Sequence, residues 1–155
     1  MKRILLFSMF GFLLAGSLYA QDQTSLRKQQ FNLHDGIAIS GYDAVAYFTE
    51  GKAVKGNKDN AVVYQGVLYY FSSVANKEAF KKEPAKYEPA YGGWCSYAMG
   101  AKGEKVEVDP KTFKIVDGKL NLFYNKFFNN TLNDWNKDEA NLHRKADANW
   151  AKIYH

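Results

Sequence analysis

The sequence holds a single cysteine, Cys95, so no internal disulfide is available to staple the fold. It has no Gly-rich phosphate loop, no H-E-x-x-H pair and no nucleophile elbow, which removes the commonest signatures of nucleotide, zinc-peptidase and serine-hydrolase chemistry. Lys and Glu/Asp are interspersed without a basic block, which argues against a nucleic-acid partner. Long apolar runs are also absent apart from Ile4 to Ala15, which is interrupted by Ser8 and Gly11. A membrane span needs roughly 20 apolar residues, so this run is too short to serve as an anchor.

What is there begins with an address. Lys2 and Arg3, the apolar run and the small residues up to Ala20 have the form of a secretory signal peptide over residues 1–20. Cleavage after Ala20 leaves 135 residues with a formal charge of +3 instead of +5, and no cysteine beside the cut to take a lipid. The expectation is a periplasmic or secreted protein with no stable membrane insertion after cleavage. Residues 21–32 are polar with no apolar period and read as a flexible leader, with order beginning near Phe31 or Leu33. The remainder, 33–155, suits one domain with a C-terminal helical extension. An aromatic content of 16% supplies a core that must be held by packing alone.

The expected class is α+β: two antiparallel β-hairpins forming a small sheet packed against several short helices and a C-terminal helix. The first hairpin is AVVYQGVLYYF, turning at Gln65 and Gly66; the second is FKIVDGKLNLF, turning at Asp117 and Gly118. Ser72 or Ser73 offers an N-cap for a helix that Pro84 interrupts. Gly92 and Gly93 permit close backbone approach at the entry to a short helix bearing Cys95. Tyr124 to Tyr154 reads as mostly helical, with Leu142, Ala146, Trp150 and Ile153 on one face expected to pack on the sheet.

At the first hairpin the sequence Y-x-G-x-x-Y-Y-F-S-S, Tyr64 to Ser73, is followed by Phe80, Pro84 and Lys86-Tyr87. With GYDAVAYF at Gly41 to Phe48, YGGWCSYA at Tyr91 to Ala98, DGKL at Asp117 to Leu120 and ADANW at Ala146 to Trp150, the chain resembles the exported, stand-alone YHS-domain proteins of bacteria. YHS modules also occur attached to heavy-metal transport ATPases and some monooxygenases. The resemblance implies a metal site built from cysteines, one in a D-P-V-C-G-M motif and a pair in F-C-S-x-x-C. Here Ser40 stands at the first place, and Ser72 and Asn76 at the pair. The Gly-Gly-aromatic-Cys motif of the stand-alone relatives is matched by Gly92, Gly93, Trp94 and Cys95.

Cys95 is accordingly the candidate centre for a small ligand or a soft metal such as Cu(I), because a thiol at a helix start gains thiolate character and thiolates suit soft ions. Tyr91, Met99, His34 and Asp43 are the candidate helpers: a wall, a thioether, an imidazole and a carboxylate. Asp43 reads equally as a capping residue. Two alternatives stay open. Cys95 with His143 has the spacing of a small exported Cys/His hydrolase. Cys95 as a buried, inert core thiol would leave a structural or interaction domain, with a homodimer or protein partner.

Overall fold

A computed structural model describes residues 23–155, so the signal-peptide expectation for 1–20 lies outside the described residues. The class is α+β. The order is α1 (23–30), β1 (Leu33–His34), β2 (Ile37–Ala38), α2 (Ala46–Thr49), β3 (Asn57–Tyr64), β4 (Val67–Phe71), α3 (Val74–Lys82) and α4 (Pro84–Tyr87). There follow α5 (Ser96–Lys102), β5 (Asp109–Val116), β6 (Lys119–Phe123), β7 (Asn125–Lys126), β8 (Asn129–Asn130), α6 (Thr131–Lys137) and α7 (Glu139–Ile153). No described helix is long and apolar enough to cross a membrane.

Both expected hairpins form on the expected turns: Tyr64 pairs with Val67 around Gln65-Gly66, and Val116 with Lys119 around Asp117-Gly118. They lie in separate sheets. One is four-stranded in the order β1-β2-β4-β3, with β2 parallel to β4, and the other is β5-β6 alone. β4 alternates between buried and half-buried residues, sending Val67, Tyr69 and Phe71 into the main core with Val45, Tyr47, Phe80, Leu120 and Leu122. Phe80 of α3 is the hub, its ring 4.7 Å from Tyr69 and 5.0 Å from Phe71. α3 starts where Ser73 Oγ accepts the Asn76 N–H, and Pro84 opens α4, where a missing N–H costs nothing.

Three expectations are corrected. The leader is helical over 23–30, and Arg27 within it is buried: its guanidinium lies over Phe31 and Tyr64 and pairs with Glu88. An interior built by one long cationic side chain leaves no apolar period to read. Residues 125–130 form a third hairpin, β7-β8, ahead of the C-terminal helices. Of the α7 face, Leu142 alone reaches a sheet, packing with Phe123 of β6 and with Trp135, whereas Ala146, Trp150 and Ile153 pack instead on Tyr91 and, through Met99, against α5. Gly100 makes that approach possible, because a Cβ there would sit 2.4 Å from the Leu142 carbonyl oxygen.

Candidate functional site

Pro89 and Cys95 each form one parallel bridge to β6, with Leu120 and Leu122, and a kinked 3-10 turn, Ala90–Gly93, lies between them. Within it Tyr91, Gly92 and Gly93 all have positive φ, 53°, 61° and 86°. Gly92 cannot be replaced without collision: a Cβ would stand 2.9 Å from both Phe31 and Trp150. This left-handed run turns the chain so that Cys95 becomes the N-cap of the seven-residue α5, with its N–H donated to the Val106 carbonyl at 2.9 Å.

Cys95 is fully buried and bonded. Thr131 Oγ1 donates to the Tyr124 carbonyl at 3.0 Å, which leaves an oxygen lone pair to accept the Cys95 thiol hydrogen across 3.4 Å. The Tyr124 N–H in turn points at Sγ, also at 3.4 Å. The thiol thereby ties the start of α5 to the residue before β7 and the first residue of α6. Beside this knot is a cleft of about 260 Å³, whose walls include Cys95, Tyr97, Lys102, Glu104, Tyr124 and Thr131. Cys95 and its neighbour Tyr97 are legible in the sequence as wall candidates, whereas Tyr124 and Thr131 are not, because they come from a segment some thirty positions away with no shared motif.

The other candidates are distributed elsewhere. Met99 is fully buried in a cluster with Tyr91 and Ala146. Tyr91 donates its hydroxyl to Asp147 at 2.9 Å, and burial first, then that carboxylate, pushes the phenol well above its ordinary range. His34 is half exposed on β1, 3.3 Å from Glu107. Asp43 is fully buried and saturated: it accepts from the Val45 and Ala46 N–H groups, and from the Ser72 N–H, the Ser72 hydroxyl and the Asn76 amide. His143 lies 3.7 Å from Asp117 and 3.9 Å from Asp147, and it makes no hydrogen bond to Cys95.

This arrangement bears directly on a metal. At the places where the resemblance puts the paired cysteines, Ser72 and Asn76 donate their hydrogens to Asp43, so hard donors knit to one another occupy the position. Those residues do not fit a soft ion. At Cys95 one sulfur is present, and among the described residues no three His, Cys, Asp or Glu side chains gather in a way that could hold a metal.

Residues 45–91 match the family model of the YHS domain, from the residue before α2 to the residue before the Gly92-Gly93 turn. Cys95 and the cleft lie just beyond the matched segment, whereas Ser72 and Asn76 lie inside it. No curated protein and no solved structure matches the chain.

Proposed function

We propose that the protein is an exported binding module of YHS type, performing no catalysis, that takes a small ligand in the cleft at the start of α5. The observation carrying this reading is the cleft itself: Cys95, the sole cysteine of the chain, is among its lining residues, together with two tyrosines and the oppositely charged Lys102 and Glu104. Aromatic faces with a few converging polar groups are what a small-ligand site requires. Export rests on the form of residues 1–20 and predicts a mature N-terminus at Gln21, which mass spectrometry of the processed protein reads directly.

A soft ion such as Cu(I) is the second reading, favoured by the Tyr124 N–H aimed at Sγ, a donor that stabilises a thiolate. One thiol is a sparse donor set, so a second copy or the ligand itself would have to supply the others. The hydrolase alternative lacks a Cys95–His143 hydrogen bond, and turnover abolished by both Cys95→Ala and His143→Ala would revive it. The test of the cleft is alkylation of the folded protein by iodoacetamide, run beside anaerobic Cu(I) titration of wild type and Cys95→Ser against a chelator. Alkylation faster than global unfolding, with Cu(I) competition lost in Cys95→Ser, supports both readings. A thiol that reacts only on unfolding, with equal competition by the two proteins, leaves Cys95 as a core residue and ends them.

A further inference from the structure

Four hairpins of the described chain close on two residues of positive φ. Three of them place glycine second: Asp35-Gly36 at 53° and 79°, Gln65-Gly66 at 46° and 81°, and Asp117-Gly118 at 48° and 73°. The fourth, between β7 and β8, uses Phe127 and Phe128 at 50° and 66°. Turns of this geometry favour Asn-Gly or Asp-Gly, because a side chain at positive φ crowds the backbone carbonyl. The two rings regain nothing by packing. Phe127 is 90% exposed and Phe128 111%, while every other Phe and Trp among the described residues is buried or partly buried.

The mount beneath the tip is firm. Asn125 pairs with Asn130 and Lys126 with Asn129; Asn125 Nδ2 donates to Thr112 Oγ1 at 3.0 Å, and Asn130 Oδ1 caps α6 through the Leu132 N–H at 3.1 Å. Two bulky rings are therefore held outward on a braced turn that local chemistry would have filled with Asn-Gly. Strain kept at a site without internal compensation points to an external contact.

We propose that the Phe127-Phe128 tip docks this protein on an anionic lipid surface. Two phenyl side chains offer roughly 300–500 Å², well short of the roughly 800 Å² per partner that a stable protein interface buries, so a second copy is poorly served. A bilayer sets no such minimum, and aromatic rings settle at headgroup depth. Charge fits as well: Lys126 is exposed next to the tip, forms no ion pair among the described residues, and belongs to a chain whose residues 21–155 carry a formal charge of +3. The contact is peripheral and reversible, since two rings and a cation are far short of a permanent anchor.

Co-sedimentation of the processed protein, beginning at Gln21, with vesicles of phosphatidylglycerol and phosphatidylethanolamine, against phosphatidylcholine alone, tests this. F127N/F128G installs the residues the turn prefers, so it keeps the hairpin while removing the rings. Both proteins are used after processing to Gln21, because the apolar run Ile4 to Ala15 would by itself carry either of them onto the vesicles. The expected result is a loss of about tenfold in binding to the anionic vesicles in F127N/F128G. Lys126→Glu and raised salt should each weaken binding several-fold. Equal binding by wild type and F127N/F128G, or a wild type that stays in solution, overturns the proposal. So does a dimer in sedimentation velocity that F127N/F128G abolishes, because it would assign the rings to a second copy.

Discussion

Asp43 holds two distant segments of backbone on one carboxylate. Oδ1 accepts the Val45 and Ala46 N–H groups at 2.8 and 3.2 Å, which starts α2. Oδ2 accepts the Ser72 N–H at 2.8 Å, the Ser72 hydroxyl at 2.6 Å and the Asn76 amide at 2.8 Å, which fixes the junction of β4 and α3. The capping half of this was legible in the sequence, since an Asp ahead of a short apolar turn is a local signal. The other half was not, because Ser72 and Asn76 meet Asp43 only once the first hairpin has folded back. Asp43→Asn puts an NH₂ group where donors already converge, and should lower unfolding free energy by about 3–5 kcal/mol, the cost of stranding buried donors. Urea denaturation checks it. A change below about 1 kcal/mol would show that the network is not as closed as its distances say.

Elements were readable where their cause is local and hidden where it is tertiary. Gln65-Gly66 and Asp117-Gly118 announce their turns by chemistry. Phe127-Phe128 adopts the same backbone against that chemistry, so β7-β8 leaves no turn signal in a stretch whose composition suits a helix. α1 depends on Arg27, which burial alone would pull down but which the hydrogen bond and charge of Glu88 hold above its ordinary value. Tyr69 donates to the same carboxylate from inside the core. Arg27→Met removes the cation and leaves the partly buried Glu88 with only a phenol, so it should cost about 3 kcal/mol; adding Glu88→Gln should recover most of that, because the amide needs no counter-charge. A double variant no more stable than Arg27→Met alone would refute the pairing as the reason. At the head of α7, Glu139 accepts from Lys114 and from Trp135 Nε1, and the Lys114 hydrogen bond, opposed by burial, holds its carboxyl below the ordinary 4.5. A depressed folded value means stability that is complete above 4.5 and lost as pH falls through the folded value. Acid titration of unfolding should therefore be shallower in Glu139→Gln; identical slopes would remove Glu139 from the linkage.

Over the whole molecule one thiol means that packing and hydrogen bonding carry the fold, so dithiothreitol should leave the thermal midpoint unchanged. Composition made that much legible, whereas the cleft was not, because 95–106 and 124–131 meet only once the second sheet has folded and Cys95 has bonded to Tyr124 and Thr131. The contact between α5 and α7 stands behind them. That contact is the most sensitive point of the assembly. α5 carries the Cys95 wall on one side and lies against α7 on the other, with Met99 and Ala146 both fully buried between them. The clash at Gly100 would be with backbone, the Leu142 carbonyl oxygen and carbon at 2.4 and 3.1 Å, which cannot swing aside as a side chain can. Gly100→Ala gains helix propensity of roughly 1 kcal/mol, yet it must separate two helices, and overpacking of this kind costs about 3 kcal/mol. The net loss should lower the midpoint by roughly 4–8 °C for a domain of this size. Because α5 moves, iodoacetamide should also reach Cys95 faster in Gly100→Ala than in wild type at the same temperature. A raised midpoint would mean that propensity wins and the helices do not meet this closely, and an unchanged alkylation rate beside a lowered midpoint would uncouple the cleft from the C-terminal helix.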